Sequence, residues 1–195
     1  MKIDELIAKR LRALRKARQM TLTQLAALSG VSSSMLSLIE RQETSPTAVV
    51  LARLADALDL TLPELFACEA SSEVSSPLSR RADQVVWQDP ASGYQRRHLS
   101  PNTQDTAIDL VEVLFPAGAT VAFEYAQRQV QASQQLWLLQ GRLDVRSGHE
   151  TWLLKAGDCL VLTPSATTIF HNPGKQTARY VLALEHSPRH PRSTA

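Results

Sequence analysis

The stretch TLTQLAALSGVSSSMLSLIERQETSP, residues 21–46, decides the fold of the first part of this 195-residue chain. Thr21 can cap a helix whose apolar side chains recur at helical spacing. Ser29-Gly30 ends that helix, because glycine takes the left-handed conformation that a tight turn needs. Ser32 can cap a second helix directly afterwards. The pattern predicts two short helices joined by a glycine-bearing turn, the helix-turn-helix arrangement.

Helical patterns continue on both sides of this stretch. Residues 4–18 predict an amphipathic helix before it. Ser45-Pro46 reads as a cap followed by proline at the first position of a fourth helix. Thr61 to Glu64 form a capping box that opens a short fifth helix ending near Phe66. Residues 1–66 are therefore predicted to form an all-helical domain.

The composition and the apolar periodicity of the sequence change after residue 66. Residues 67–82 are rich in serine, alanine and charge, which is typical of a linker. From residue 83 the periodicity moves towards two, and turn signals such as Ser147-Gly148 separate short apolar runs. The strands predicted in this way are 85–87, 107–115, 136–145, 151–154, 159–162, 167–170 and 178–184. Residues 83–195 are therefore predicted to form an all-β sandwich or barrel.

Composition excludes several classes of protein. With 44% apolar and 21% charged residues, the chain has the composition of a globular protein. No apolar run approaches the roughly 18 residues of a membrane span, and the N-terminal sequence lacks the apolar block of a secretory signal. We therefore expect a cytoplasmic protein without a membrane partner. Cys68 and Cys159 cannot make a disulfide framework, and each is expected to be a small buried or half-buried side chain.

Positive charge is concentrated near the N-terminus. Residues 1–66 hold nine Lys/Arg against seven Asp/Glu, whereas the rest of the chain is balanced at twelve of each. Six basic residues and no acidic residue lie between Lys9 and Arg18. Such a cluster attracts a polyanion, although a solvated helix face has the same appearance.

Residues 7–66 resemble the lambda-repressor/Cro (XRE) family of five-helix DNA-binding domains. The resemblance rests on several positions at fixed spacing: Leu25-Ala26, Gly30-Val31-Ser32, Leu36-Ser37, Ile39-Glu40-Arg41, Ser45-Pro46, Leu54-Ala55 and Leu58. It implies a helix-turn-helix at about 22–41 that binds a double-stranded DNA operator, with the helix beginning at Ser33 in the major groove.

The resemblance also implies which residues contact DNA. Those expected to reach base edges are Ser33, Ser34, Ser37 and Arg41. Those expected to contact phosphates are Arg10, Gln42, Thr44 and Thr47, together with amides at the start of the second helix. Leu22 replaces a glutamine common in the family, and a leucine cannot bond a phosphate. Arg15 and Glu40 match an ion pair between the first and third helices, and a half-buried Glu40 would need such a partner.

Two later segments, residues 131–145 and 157–174, resemble the two cupin motifs. The resemblance covers about residues 105–186 and implies a double-stranded β-helix barrel, so we expect a two-domain α + β protein. Metal-binding cupins need several imidazole and carboxylate donors. Here residues 128–135 contain none, Thr168 stands at the usual histidine position, and His171 should face the opposite way. We therefore expect no metal, no cofactor and no catalytic residues.

A barrel without metal can still bind a small molecule. Amides and an arginine would suit a polar or anionic effector, and the residues predicted to line the mouth or walls are Glu124, Tyr125, Arg128, Gln131, Gln134, Trp137 and Thr168. The alternative is a filled barrel that only dimerises.

Together these features predict a sequence-specific transcriptional regulator that is not an enzyme. We expect a repressor that acts as a homodimer through its barrel and senses a small molecule there. Two alternatives remain open: an antitoxin-like or other protein-interaction module, and a cupin enzyme with a fused DNA-binding domain.

Overall fold

The computed structural model describes residues 3–60, 62–66, 76–101, 108–124, 133–163 and 167–185. The helices come first and the strands follow. Four helices have eight residues or more, and the last helix has only five. Their bounds are α1 Ile3–Ala17, α2 Leu22–Ser29, α3 Ser33–Glu40, α4 Ala48–Ala57 and α5 Leu62–Phe66.

Local hydrogen bonds explain where α2 and α3 begin and end. Thr21 forms a capping box with Gln24, each side chain accepting from the other's backbone N–H. Gly30 ends α2 with a φ of 67°, and Ser32 then accepts from Met35 N to start α3. The two helices bend by 115° at this break, within the range of a helix-turn-helix. In the described part of the chain, no single helix is long and apolar enough to cross a membrane, and only the bent pair α2 and α3 meets that test jointly.

The start of α4 differs from the expectation that Ser45 caps it and Pro46 opens it. Thr47 is the cap, accepting from Val50 N, and the helix begins at Ala48. Ser45 instead donates its hydroxyl to Asp4 Oδ1 of α1 at 2.7 Å. The hydroxyl of Ser45 is bound to α1, and the hydroxyl of Thr47, two residues later, caps the helix instead.

Arg15 and Glu40 fasten α1 to α3. The guanidinium donates from Nε and one terminal nitrogen to the two carboxylate oxygens, at 2.7 and 2.8 Å, and from the other nitrogen to Met20 O at 2.8 Å. The two side chains are only 12% and 8% exposed. The hydrogen bond to Glu40 raises the pKa of Arg15 despite the opposing effect of burial. The pair therefore joins the two helices with most of its hydrogen-bonding groups satisfied.

Among the described residues, the C-terminal domain has ten antiparallel strands. Each predicted run overlaps an observed strand, but the run predicted as one strand over 136–145 is two strands, β5 and β6, separated at Gly141. The strands β2 and β4 were missed. The bounds are β1 Val86–Gln88, β2 Gln95–His98, β3 Ile108–Phe115, β4 Thr120–Phe123, β5 Gln134–Gln140, β6 Arg142–Ser147, β7 Glu150–Lys155, β8 Cys159–Leu162, β9 Thr168–His171 and β10 Ala178–Glu185.

The strands form two sheets, and the expected closed barrel is not present in the described residues. The larger sheet has the order β1-β2-β3-β10-β5-β8 and the smaller sheet the order β4-β9-β6-β7. The ladders of the described strands stay within each sheet, and each sheet therefore has two edge strands. The apolar inner positions of both sheets, such as Tyr180, Leu182, Val145 and Phe170, belong to one core.

Asn172 joins the turns that connect the two sheets. Its side chain is fully buried and donates to the backbone oxygens of Phe115, Pro116 and Gln176, while its Oδ1 accepts from Gly174 N. An asparagine can serve both functions because it carries donors and an acceptor on one short side chain. This is a framework position of the cupin resemblance.

Gly141 lies between β5 and β6, and two features there favour glycine: a positive φ and too little room for a Cβ atom. Its φ is 87°, and a Cβ there would lie 2.9 Å from Ala178 Cα. We expect Gly141→Ala to lower the melting temperature of the β domain, with a cost of at least about 1–3 kcal/mol from backbone strain alone. Gly148→Ala is the matched control, because Gly148 also has a positive φ but open space around it. Equal losses in thermal denaturation would contradict the steric argument.

The Arg15–Glu40 pair gives a second stability prediction. Glu40→Ala strands a guanidinium that is almost buried, and breaking a buried pair costs about 3–5 kcal/mol. Chemical denaturation should therefore show the helical domain unfolding at much lower denaturant concentration. Lys9→Ala breaks the exposed pair with Glu5 on the same helix, where Lys9 is 64% exposed, and should cost no more than about 0.5 kcal/mol. A Glu40→Ala variant as stable as Lys9→Ala would refute the prediction.

Candidate nucleic-acid interface

Helix α3 buries one face and presents the other to solvent. Leu36 and Ile39 are buried in the helical core, with exposed fractions of 0% and 1%. On the other side Ser34 is exposed, and Ser33 and Ser37 are half-buried. Ser34 shares a hydrogen bond with the cap residue Ser32, at 3.0 Å between hydroxyl oxygens. The three predicted base-contacting serines therefore share the side of α3 that does not pack in the core.

Arg41 follows α3 and is exposed, but it is not free. Its guanidinium binds Glu43 at two points, Nε to Oε1 at 2.8 Å and a terminal nitrogen to Oε2 at 3.1 Å. The two side chains are 57% and 52% exposed. Gln42 between them has a φ of 63°, and Glu43 N donates back to Leu38 O, as in a helix-ending Schellman turn. The turn therefore holds Arg41 next to Glu43. Glu43 is an exposed carboxylate, which DNA phosphates would repel.

The other predicted phosphate contacts lie in different settings. Gln42 is exposed and Thr44 is half-buried. Arg10 is half-buried and already engaged within the chain. Thr47 is half-buried and caps α4. Leu22, which replaces the glutamine common in the family, packs against the hydrophobic core. This position therefore contributes apolar surface to the packing of the helical domain.

The basic cluster on α1 is largely structural. Lys9 pairs with Glu5, and Arg15 pairs with Glu40. Arg18 donates to Leu58 O at the end of α4, at 2.6 Å. Arg12 and Lys16 are exposed and have no ion-pair partner among the described residues. Charge counting alone therefore overstated the number of cations available to a polyanion.

Among the described residues, three contacts between the β domain and the helical domain stand out. Asp89, just after β1, accepts a hydrogen bond from Ala48 N at the start of α4, at 3.0 Å. Glu124, just after β4, binds Arg53 of α4 at 2.7 Å. The rings of Phe66 and Trp87 pack at a centroid distance of 5.9 Å. A cleft of about 440 Å³ opens beside the first contact, between the start of α4 and the β1–β2 and β3–β4 turns.

The four described members of the predicted ligand-binding set do not lie together. Gln134 and Thr168 are buried and point into the core between the sheets, where Thr168 shares a hydrogen bond with Ser147. Glu124 instead contacts α4. Trp137 is 53% exposed on the outer face of the larger sheet, so its assignment as a pocket wall was wrong. It lies one residue from inward-facing Leu136, and strand alternation places it opposite. Tyr125, Arg128 and Gln131 lie outside the described residues.

The remaining histidines and cysteines are scattered. His171 faces away from Thr168, as expected, and its Nδ1 lies 2.9 Å from Thr120 Oγ1. His98 pairs with Asp109 at 3.1 Å. Cys159 is exposed, contrary to the expectation of burial, because it lies on the same outer face as Trp137; Cys68 lies outside the described residues. No group of three or more His, Cys, Asp or Glu forms a metal-binding cluster in the described part of the chain.

Comparison with known proteins adds to this geometry. A family described as "Helix-turn-helix" matches residues 11–65. The HTH-type transcriptional regulator SutR of Escherichia coli (strain K12) is 27% identical over 179 residues, covering 92% of this chain and 93% of that protein. A crystal structure of an HTH_3 family transcriptional regulator from Vibrio cholerae superimposes with a TM-score of 0.73 at 22% identity, covering 95% and 97% of the two chains.

A third similarity is to an enzyme. The structure of hydroxypropylphosphonic acid epoxidase from S. wedmorenis covers 94% of this chain and 100% of its own, at 15% identity and a TM-score of 0.47. The family match shows that residues 11–65 form a helix-turn-helix domain. The chain as a whole shares the fold of the Vibrio cholerae regulator.

Proposed function

We propose that this protein is a transcriptional repressor that binds operator DNA as a homodimer. The observation that carries the proposal is the exposed side of α3, where Ser33, Ser34 and Ser37 are followed by the fixed turn that holds Arg41. Serine hydroxyls discriminate weakly between base edges, whereas arginine can bind guanine at two points. Specificity would therefore depend mainly on Arg41 and on DNA shape.

Phosphate contacts would surround this reading helix. Gln42 and Thr44 lie in the turn after α3, and Arg10 and Thr47 lie further back on α1 and before α4. Arg12 and Lys16 on α1 would add long-range attraction, so binding should weaken steeply with salt.

The reading helix can be tested with two neighbouring residues of opposite charge. An operator would first be obtained by in vitro selection from random duplexes with the full chain. Arg41→Ala should then lose about 1–3 kcal/mol of binding free energy, the value of a good contact to a base. Glu43→Gln should bind more tightly than wild type, because it frees Arg41 and removes a charge that repels phosphate. Fluorescence anisotropy measures both.

Arg146→Ala is the control for that experiment, because Arg146 is exposed on β6 in the β domain. It should bind the operator like wild type. If Arg41→Ala and Arg146→Ala bind equally, α3 is not the reading helix.

We infer that the homodimer forms through the outer face of the larger sheet. Four side chains there are large, apolar and 41–60% exposed: Ile108, Leu110, Trp137 and Val161. Strand register places them around Val181 and Ala183 of β10. A contiguous apolar patch of this kind is typical of a protein–protein contact.

The charges on this face favour a second copy as its partner. Arg179 and Glu185 lie at opposite ends of β10 on the same face. A two-fold axis through the middle of β10 would bring each basic end to the acidic end of the other copy, since a two-fold contact uses the same surface twice. Such a dimer would present two reading helices to two half-sites.

The dimer face can be tested by placing a charge in it. Trp137→Glu should convert the dimer to a monomer in sedimentation velocity, because a buried unpaired carboxylate is costly in an interface. Leu153→Glu is the matched control, since Leu153 is apolar and 70% exposed but lies on β7 in the other sheet. Both variants sedimenting as dimers would place the dimer contact elsewhere.

We further propose that the β domain has a regulatory role, sensing a polar or anionic small molecule from the core between the sheets. Gln134 and Thr168 are the buried polar side chains that support this proposal. Sequence adds Arg128 as the candidate partner for an anion. A ligand that fits one arrangement of the two DNA-binding domains better than another would shift the dimer towards it.

A further inference from the structure

Asp89 in the turn between β1 and β2 is a buried carboxylate whose hydrogen-bond donors come from both domains. It is 2% exposed. Its Oδ1 accepts from Ala48 N of α4 at 3.0 Å, and its Oδ2 accepts from Ser92 N at 2.9 Å and from Ser92 Oγ. A carboxylate buried so completely costs free energy unless its lone pairs are satisfied. Three donors satisfy them here, one of which belongs to the helical domain.

The donor from the helical domain is an N–H group that has no partner within its own helix. Ala48 is the first residue of α4, whose initial N–H groups have no partner within the helix. The side chain of Thr47, the helix's own cap, accepts from Val50 N. Asp89 therefore completes the cap from the β domain and places a negative charge at the positive end of the α4 dipole.

The position of α4 matters because of what precedes and contacts it. The segment from Arg41 to Thr47 connects α3 to α4 and contains four of the eight residues proposed to contact DNA. Arg18 of α1 also holds the far end of α4, at Leu58 O. Fixing the start of α4 relative to the β domain therefore fixes the reading unit as well.

The other two contacts between the domains are less directional. The Arg53–Glu124 pair is 39% and 59% exposed, and exposed pairs contribute little. The Phe66–Trp87 contact is apolar and tilted at 42° between ring planes, so it tolerates sliding. The hydrogen bond from Ala48 N to a carboxylate held by Ser92 is the contact that best defines an angle, because hydrogen bonds weaken steeply when bent.

We propose that Asp89 is a positioning residue for DNA binding. By capping α4 from the β domain, Asp89 sets the angle of the reading helix relative to that domain. This angle determines the half-site spacing that the dimer accepts. This inference rests on the proposed function, a dimer on two half-sites. Two half-sites lie about 34 Å apart along one turn of DNA, so a small change of angle at each junction moves the reading helices out of register.

The test measures spacing preference with the full chain. Duplexes carry either one selected half-site or two, with centres separated by 9, 10, 11 or 12 base pairs. Wild type should prefer one spacing at least tenfold over its neighbours. Asp89→Ala should reduce that preference to about twofold while leaving affinity for the single half-site within twofold. Asp89→Asn should lie between them, because its one carbonyl oxygen can serve Ala48 N or Ser92 N but not both.

Asp158→Ala is the matched control. Asp158 also accepts a backbone hydrogen bond, from Lys155 N at 2.7 Å, but within the β domain. It should lower thermal stability and keep the wild-type spacing preference. In calorimetry, Asp89→Ala and Asp89→Asn should separate the unfolding of the two domains, whereas Asp158→Ala should not.

The outcomes separate this inference from the function on which it rests. A wild-type chain with no spacing preference would overturn both. A wild-type preference that both Asp89 variants retain would overturn only the role of Asp89, as would Asp89 variants that behave like Asp158→Ala. Because Asp89→Asn keeps its size and one acceptor, it supplies the answer if Asp89→Ala fails to fold.

Discussion

The packing of Phe66 against Trp87 is the contact that joins the helical core to the core of the sheets. Phe66 ends the last helix and Trp87 lies in the first strand, and both are buried. From Trp87 the ring contacts continue through Tyr94 and Phe115 to Tyr180, with centroids 5.7, 5.7 and 6.5 Å apart. Aromatic pairs of this kind each add about 0.5–1.5 kcal/mol beyond the area they bury. The helical core and the sheet core are thus continuous.

This continuity changes how the linker is understood. A stretch rich in serine and charge is typical of a linker, which by itself implies no contact between the domains that it joins. The described residues on either side of 67–75 are instead joined by apolar, ionic and hydrogen-bonded contacts, at Phe66, Arg53 and Ala48.

The sequence was informative wherever a short-range rule applied. Thr21 and Ser32 cap their helices because each hydroxyl lies three residues before the N–H that it binds. No distant part of the chain is needed to bring the two groups together. Ser45 failed as a cap because Asp4, 41 residues away, bonds its hydroxyl. Strand β2, with the sequence QRRH, has no apolar alternation, and its polar side chains are half-buried by neighbours that no local pattern reveals. The role of Asp89 depends on the same kind of distant partner.

The period-two pattern of β3 and β5 does not say which face of each strand is buried, and the fold answers this question. Strands β3 and β5 carry apolar residues on both faces, as in Leu110 next to Val111 and Trp137 next to Leu138. Such a strand predicts burial on both sides, and the sequence cannot say which side faces the core. In the structure Val111 and Leu138 face the core, so Leu110 and Trp137 remain outside. In the described part of the chain the second apolar face is therefore open to solvent, and it is the face that we propose a second copy of the sheet covers.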